Sequence, residues 1–562
     1  MSTSHPQAML AFSILSGIAT HFTIFRHGEW DVQAPKIVLS YLFLLSVATV
    51  LDVAATVNYF DFAGPYPWFV KGVWCHILGI YGSMFIYRAF FHRLSQFPGP
   101  FLARLSNFYV TSLSARKLHL YEETEKLHKI YGDYVRLGLN SLPSILNYVT
   151  KLTLPLGPTE LSIADPSAVK ALYSSQAKVS KGPWYTILEP RVSLQTERDK
   201  QEHARRRKVW DQGFSSRALR DYEPRVSHYT GQLIEAIEKQ IGSSMDISRW
   251  FNYYSFDVMG DLAFGESFNM LVDGKDAYIV KQLHADMKSI GLFSHLTWLF
   301  PFVKRIPVLN ADFLKFWTWV GERVDGRIQN TPDRPDVFSW LLKAYEQGPK
   351  SKQDTLNLHG DAYLIIVAGS DTTAATLTNI FFHLVSDQAS YEKLQAELDA
   401  LSDLSHDKLR DIKLLDAAIN ETLRLHPAVP SGTQRLSPPE GMTIGGRYIP
   451  GDVMLCIPSH ALFRDERVFS RPNEFLPERW TTQPELVKDS SAFIPFNSGP
   501  YSCVGKQLAL MELRCVMAEI LTKYDISFAP SQKASAFWEG RQDTFTLVTA
   551  PLELVFKERG KK

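Results

Sequence analysis

A cysteine placed between two glycines, directly ahead of a helical stretch, limits the folds open to this chain more than any other feature. The run is Phe496-Asn-Ser-Gly-Pro-Tyr-Ser-Cys503-Val-Gly505, and residues 506–522 follow it with helical periodicity. Glycines let the backbone turn tightly and approach a flat ligand closely. A helix N-terminus offers free N–H groups and the positive end of its dipole, and both favour a thiolate. The alternative for Cys503 alone is a buried, inert cysteine.

A second polar run interrupts a long apolar helix. It reads Ala368-Gly-Ser-Asp-Thr-Thr373 and follows the apolar residues 363–367. Glycine with serine and threonine loosens the helical hydrogen bonds and permits a local kink. An acid beside an alcohol inside such a helix costs free energy unless it has a purpose. Taken alone, the run would equally suit a polar helix cap or a surface patch.

A third run pairs a carboxylate with two arginines. Glu421 and Arg424 share one face of the predicted helix 412–425, and Arg479 follows in Pro477-Glu-Arg-Trp480. An exposed pair of this kind contributes only about 0–1 kcal/mol. Arginine nevertheless suits bidentate pairing with a buried carboxylate.

Together these three runs resemble the cytochromes P450. The cysteine run resembles that family's haem-binding loop, F-x-x-G-x-R-x-C-x-G, except that Tyr501 stands where the family usually has arginine. The resemblance implies that Cys503 is the axial ligand of haem iron, with Phe496, Gly499, Tyr501 and Gly505 forming the cofactor loop around it. A thiolate ligand pushes electron density onto iron and favours O–O cleavage.

The resemblance also implies roles for the other two runs. Thr372 would hold water or dioxygen by a hydrogen bond, and Asp371 would relay protons from solvent, so both are expected to be catalytic. Glu421, Arg424 and Arg479 would form a buried structural network that holds the segment before the cysteine loop. Removing one partner of such a network costs about 3–5 kcal/mol.

The haem propionates need cations, and Tyr501 carries no charge. His203 and Arg207 lie four residues apart and resemble the family's W-x-x-x-R, with histidine at the tryptophan position. Arg435 matches another family propionate contact. We therefore expect Arg207 and Arg435 to pair with the propionates beside His203. A solvated basic face is the alternative for the run around Arg207.

The same basic run predicts a partner surface. Charges at Arg205, Arg206, Lys208 and Lys506 would steer an acidic reductase onto the protein.

The substrate walls that the resemblance implies are mostly apolar with aromatic residues, which suits a lipophilic small molecule. These walls are residues 184–192, 292–302, 365–368, 428–433 and 544–548.

Composition excludes several other classes of protein. The formal net charge of the 562 residues is +1, which argues against a nucleic-acid binder. The four cysteines form no C-x-x-C pair, so neither a zinc site nor a disulfide framework is indicated.

The first hundred residues predict a membrane region. Apolar stretches at 8–25, 37–57 and 68–90 each approach the ~20 residues that cross a bilayer. A charge at Asp52 or Lys71 inside a bilayer would cost free energy, so one or two spans with an interfacial segment are the alternative. A signal peptide lacks support, because no basic segment precedes the first stretch. The basic residues predict a lumenal N-terminus and a cytosolic catalytic domain.

The predicted fold is mainly α with small β-sheets, an α+β cytochrome P450 fold preceded by transmembrane helices. Residues 1–97 would form the membrane region and 98–562 the haem-thiolate domain. The predicted helices are 214–240, 358–386, 391–401, 412–425 and 506–522, and the predicted strands are 134–137, 442–448, 453–457 and 545–556.

The resemblance implies a monooxygenase of the endoplasmic reticulum membrane. Haem b would be its cofactor, and electrons would come from NADPH through cytochrome P450 reductase, with cytochrome b5 as an optional second donor. The loop sequence resembles filamentous-fungal members that oxidise lipophilic secondary metabolites. Two alternatives are a haem-thiolate isomerase or dehydratase that needs no O2, and a non-catalytic haem sensor. The acid–alcohol pair at 371 and 372 argues against both.

Overall fold

The computed structural model describes residues 4–27, 29–56, 68–105, 107–137, 160–330 and 335–560. The α-helices, in chain order, are α1 (Ser4–Thr20), α2 (Ala34–Thr56), α3 (Trp68–Ile86), α4 (Phe108–Ser114), α5 (Leu120–Tyr131), α6 (Ser167–Tyr173), α7 (Lys200–Gly213), α8 (Ser216–Glu238), α9 (Ile247–Phe264), α10 (Met270–Asp273), α11 (Tyr278–Phe293), α12 (Phe300–Val303), α13 (Pro307–Gln329), α14 (Val337–Gln347), α15 (Lys352–Ser386), α16 (Gln388–Asp399), α17 (His406–Leu409), α18 (Lys413–Leu425), α19 (Ser459–Leu462), α20 (Lys506–Lys523) and α21 (Ala534–Glu539). The strands are β1 (Tyr134–Leu137), β2 (Glu160–Ile163), β3 (Ser244–Asp246), β4 (Arg435–Leu436), β5 (Met442–Ile444), β6 (Arg447–Ile449), β7 (Met454–Cys456), β8 (Tyr524–Phe528), β9 (Gln542–Thr544), β10 (Thr546–Val548) and β11 (Glu553–Glu558).

The prediction of a mainly helical chain with small sheets is confirmed. Strand β11 lies between β3 and β8 and is antiparallel to both, with Leu554 opposite Met245 on one side and Phe528 on the other. Antiparallel pairs also join β4 to β7, β5 to β6 and β9 to β10.

Two of the predicted strands are wrong in detail. Residues 442–448 fall in a hairpin, β5 and β6, because Gly445 and Gly446 turn the chain with φ of 55° and 76°. The stretch 545–556 covers β10 and part of β11, which belong to different sheets.

The described chain divides into two compact units. The first comprises Met1–Ser112, Val135–Leu161 and Phe293–Asn310, and the second comprises Leu113–Tyr134, Ser162–Leu292 and Ala311–Lys562. In the first unit α1 and α3 pack tightly. A Cβ at Gly17 would lie 2.0 Å from the carbonyl oxygen of His76, and one at Gly79 would lie 2.2 Å from that of Ile14. Small residues therefore allow these two backbones to touch.

Asp52 in the second apolar helix has a structural explanation. Its two carboxylate oxygens accept hydrogen bonds of 2.9 Å from the backbone N–H groups of Phe69 and Val70. These N–H groups lie in the first turn of α3, where they lack helical partners. The acid therefore caps the next helix.

Four helices in the described residues are long and apolar enough to cross a membrane. They are Gln7–Phe25, Ala34–Ala55, Trp68–Phe91 and Lys352–Ser386. The apolar stretch of 18 residues in each of the first three is only 11%, 11% and 22% buried, whereas that of the fourth, the central helix of the second unit, is 83% buried. Exposed apolar faces on the first three agree with a membrane anchor, but that these helices span a bilayer stays a prediction.

Helix α15 positions the site, because it runs through the core of the second unit against α9, α18 and α20. It begins at Lys352, earlier than the predicted residue 358. Ser351 and Asp354 form a capping box there, in a stretch that carries no apolar periodicity. Along the contact with α9, a Cβ at Gly369 would lie 2.6 Å from the side chain of Met259. Glycine therefore lets α9 approach the polar run of α15 closely.

Candidate active site

One cavity of about 340 Å³ in the second unit brings the separate sequence runs together. Its wall includes Cys503 with the loop before α20, Thr372 of α15 and Arg435 of β4. Residues from at least three regions far apart in sequence thus line one cavity. Most of the remaining wall is apolar, so charged groups here are poorly screened by water.

Backbone geometry holds the cysteine loop in place. The Cys503 amide donates a 2.8 Å hydrogen bond to the Phe496 carbonyl oxygen, which closes the loop. Gly499 has a φ of +66°, and a Cβ there would lie 2.3 Å from the Tyr173 carbonyl oxygen. Only glycine meets both conditions. Gly505 has no such conflict, since its Cβ would meet nothing closer than 3.8 Å.

The Cys503 thiol is surrounded by protein, yet its own surface is open to the cavity. Burial raises the pKa of this thiol, and the N–H groups of Gly505 and Lys506 with the charge of Arg207 only partly offset it. The N–H groups at the start of α20 favour the thiolate as expected, but burial outweighs them in the protein by itself. A metal ion that binds the sulfur would remove the proton.

Cations surround Tyr501, the residue that replaces the family's arginine. Lys181 Nζ lies 4.7 Å from the centre of its ring and Arg435 Cζ lies 4.9 Å from it. The His203 ring meets the same ring edge-on at 4.7 Å. Two cationic groups thus lie within 5 Å of the centre of this ring, an arrangement that cation–π attraction stabilises.

Two of these cations are deeply buried. Lys181 donates to the Leu194 carbonyl oxygen at 3.0 Å, and burial lowers the pKa of its ammonium well below the usual value. Arg435 donates to the Gln434 carbonyl oxygen at 2.8 Å and to Tyr185 Oη at 3.3 Å. Its Nε has no hydrogen-bond partner among the residues described. Buried cations without a carboxylate partner create a strong preference for an anion.

Arg207 and His203 line the same cavity, and each also contacts the cysteine loop. Arg207 Nε donates to Asp211 Oδ1 at 2.7 Å, and Nη1 donates to the Ser502 carbonyl oxygen at 2.6 Å. Its charge is thus partly neutralised, and it braces the cysteine loop. Burial and the cations nearby lower the pKa of His203 to about 3, so this ring is neutral at physiological pH.

The thiol and the buried cations fit a haem. The thiol can ligate the iron, and Lys181 and Arg435 can pair with carboxylates of the porphyrin. Lys181 was missed by sequence reasoning, because a single lysine in Ser180-Lys-Gly-Pro183 carries no pattern.

The two members of the acid–alcohol pair lie in different places, since Thr372 lines the cavity and Asp371 does not. Thr372 lines the cavity, and its Oγ1 donates to the Ala368 carbonyl oxygen at 2.8 Å. Its oxygen lone pairs stay available as acceptors. Asp371 is buried, and its Oδ1 lies 3.0 Å from His284 Nε2 on α11. His284 was also missed, since it lies 87 residues away in the sequence.

The structure joins Glu421, Arg424 and Arg479 as expected. Arg424 donates to both oxygens of Glu421, at 2.8 and 2.9 Å, and Arg479 Nε donates to Oε1 at 2.9 Å. The Leu476 amide and Trp480 Nε1 add bonds of 2.9 and 3.0 Å. One carboxylate thus ties α18 to the segment ahead of the cysteine loop.

Two smaller expectations are wrong. Arg206 is not a surface charge, because it is buried and its Nη2 donates to Asp361 Oδ1 at 2.7 Å. Among the described residues that line the cavity, none comes from 292–302; Met287 and Ile290 of α11 do. The stretches 184–192, 365–368, 428–433 and 544–548 all contribute to the wall. Within it Trp184 stacks on Phe545 at 4.5 Å.

Comparison with known proteins gives a consistent result. The chain is 51% identical over 491 residues to the cytochrome P450 monooxygenase orf5 of Eupenicillium brefeldianum, which covers 87% of this chain and 96% of that protein. It is 46% identical to the cytochrome P450 monooxygenase FCK2 of Fusarium pseudograminearum, over the whole of both chains. It is 35% identical to the tryprostatin B 6-hydroxylase of Aspergillus fumigatus, covering 98% of this chain and 96% of that protein. Because a cytochrome P450 family model also matches residues 98–556, the chain belongs to the cytochrome P450 family, and it is a monooxygenase of that family.

Proposed function

We propose that this protein uses haem b, O2 and electrons from NADPH to insert one oxygen atom into a C–H or C=C bond of a lipophilic secondary metabolite. The observation that carries the proposal is one mostly apolar cavity that contains a thiol, the Thr372 hydroxyl of the continuous helix α15, and two buried cations, of which Arg435 has an Nε without a hydrogen-bond partner among the described residues. Electrons reach it from NADPH–cytochrome P450 reductase, with cytochrome b5 as an optional second donor.

Two groups of residues bind the haem in this proposal, the cysteine loop and the cations beside Tyr501. Cys503 would hold the iron, while Phe496, Gly499, Tyr501 and Gly505 shape the surrounding loop. Arg435, Lys181 and, more weakly, Arg207 would pair with the propionates, and neutral His203 packs against Tyr501. When bound, the haem iron supplies the binding and reductive cleavage of O2, which protein side chains do not perform.

The chain's own groups control water and protons. The Thr372 hydroxyl accepts a hydrogen bond from water in the cavity, because its own proton is committed to Ala368. Asp371, the preceding residue, carries protons inward from the protein surface. The apolar wall excludes other water and so limits unproductive proton transfer.

The substrate class follows from the wall and from one relative. Trp184 and Phe545 give the cavity a flat aromatic side, which favours a planar, largely apolar molecule. The Aspergillus fumigatus relative is named for hydroxylating tryprostatin B. We therefore assign this chain an aromatic, lipophilic secondary metabolite.

Membrane placement completes the proposal. The three N-terminal helices anchor residues 1–97 in the endoplasmic reticulum membrane with the N-terminus lumenal, and residues 98–562 face the cytosol. Arg205, Lys208 and Lys506 are exposed on the second unit. These three charges steer an acidic reductase to the protein.

The test uses the full chain in lipid nanodiscs with a fungal reductase. A metabolite extract from a host that lacks the chain is incubated with NADPH under ¹⁸O2. The expected result is a product that carries one ¹⁸O atom and forms only with NADPH. A product that forms without NADPH, or without ¹⁸O, would favour an isomerase or dehydratase instead.

A further inference from the structure

His284 connects the buried acid of α15 to the protein surface. Its Nε2 lies 3.0 Å from Asp371 Oδ1, although the two residues belong to different helices, α11 and α15. The Asp371 side chain is 3% exposed, whereas that of His284 is 32% exposed. The other carboxylate oxygen, Oδ2, is buried without a hydrogen-bond partner in the part of the chain that the structure describes. The imidazole is thus the part of this pair that meets solvent.

The surroundings of His284 hold it toward Asp371 and tune its charge. The Phe256 ring of α9 packs edge-on against the imidazole at 5.5 Å. Burial lowers the pKa of His284, but the hydrogen bond and charge of Asp371 outweigh it, so the pKa lies above its usual value. Lys288 opposes this rise and Asp276 adds to it. The ring therefore keeps its proton to a higher pH than a free imidazole does.

We infer that His284 is the positioning residue through which solvent protons reach Asp371. In this step the His284 Nε2–H bond breaks and an O–H bond forms on Asp371. The neutral imidazole then regains a proton from water at its exposed side. The inference rests on the proposed function, because it extends the proton path assigned to Asp371.

The simpler alternative is that His284 only neutralises a buried carboxylate. Arginine separates the two roles, because it keeps the positive charge and the hydrogen bond but does not lose its proton near neutral pH. His284→Arg therefore serves as the structural rescue, and His284→Gln removes the charge. His228 on α8 is exposed and provides a matched control, His228→Gln.

The first measurement does not depend on activity. The full-length holoprotein in nanodiscs, labelled with ¹³C at histidine Cε1, is titrated by NMR, and His284→Gln identifies the signal. We expect the midpoint of His284 to fall in Asp371→Asn, because the carboxylate that raises it is then absent. An unchanged midpoint in Asp371→Asn would overturn the inference.

The second measurement follows NADPH oxidation with reductase and O2, together with released peroxide, as pH is raised. We expect the wild-type rate to fall as pH passes the His284 midpoint, since the imidazole then lacks a proton to give. His284→Arg and His284→Gln should both be slower by about 10- to 100-fold, with no such midpoint. His228→Gln should match the wild type.

The outcomes separate the two proposals. If His284→Arg restores the wild-type rate and pH profile, the residue is only a counter-ion and the inference is wrong. A wild-type profile whose midpoint differs from the NMR midpoint would also overturn it. If the wild type itself oxidises no NADPH with O2 while holding haem, the proposed function fails instead.

Discussion

Replacing Glu421 with alanine removes the acceptor that two buried guanidinium groups share. Arg424 and Arg479 are fully buried, and Glu421 accepts two hydrogen bonds from the first and one from the second. Both arginines keep bonds to carbonyl oxygens, including those of Phe463 and Ser470. These carbonyl oxygens would still stabilise part of the positive charge of the two arginines. We therefore expect the variant to lose about 3–5 kcal/mol in the free energy of unfolding.

That loss corresponds to a roughly 10²- to 10⁴-fold lower ratio of folded to unfolded chain. The assay is a urea titration of the full chain in nanodiscs, followed by the reduced carbon-monoxide band of the thiolate-ligated haem. Lys126→Ala is the matched control, because Lys126 pairs with Glu123 at the same i,i+3 spacing and the same 2.8 Å distance. That pair is partly exposed, so its loss should cost less than about 1 kcal/mol. Equal midpoints for the two variants would refute the reasoning.

Three further substitutions test the cavity. Arg435→Ala and Lys181→Met should each weaken haem binding by about 2 kcal/mol or more, because each removes a buried cation. Arg207→Ala should weaken haem binding less. The measurement is haem content per chain, and full haem content in the first two variants would contradict the propionate assignment. Thr372→Ala should raise the peroxide released per NADPH several-fold, by leaving cavity water unheld, and an unchanged ratio would place the proton path elsewhere. Trp184→Ala should weaken substrate binding by about 1 kcal/mol, measured as a spectral dissociation constant. Unaltered binding would show that the aromatic wall does not contact the substrate.

Motifs within one short run were predictable from the sequence. The cysteine loop, the acid–alcohol pair and the Glu421–Arg424 pair each depend on spacing along the chain or within one helix, and the structure has them in the expected elements. Arg479 was also found, because its Pro-Glu-Arg-Trp run resembles a family element.

Groups that act only through tertiary contact were not predictable. Lys181 and His284 lie in stretches without a motif, and only the fold brings them to Tyr501 and Asp371. The burial of Arg206 was not predictable for the same reason, because it too depends on a tertiary contact. Its neighbours suggest a basic surface, but α15 brings Asp361 against it and the pair is buried.

Turns and helix starts account for the errors in the fold. The hairpin of β5 and β6 was read as one strand, because alternation of side chains does not show where the strand reverses. Gly445 and Gly446 were the available signal. The first turns of α15 carry polar residues and a capping box, so apolar periodicity began later than the helix.

The central claim is that Cys503 ligates a haem iron in the cavity of the second unit. The most direct test is the reduced carbon-monoxide difference spectrum of the full chain and of Cys503→Ser, each with its haem content measured. We expect a Soret band at the thiolate position in the wild type and none in Cys503→Ser. A thiolate band that persists in Cys503→Ser, or its absence in a wild type that holds native haem, would contradict the account.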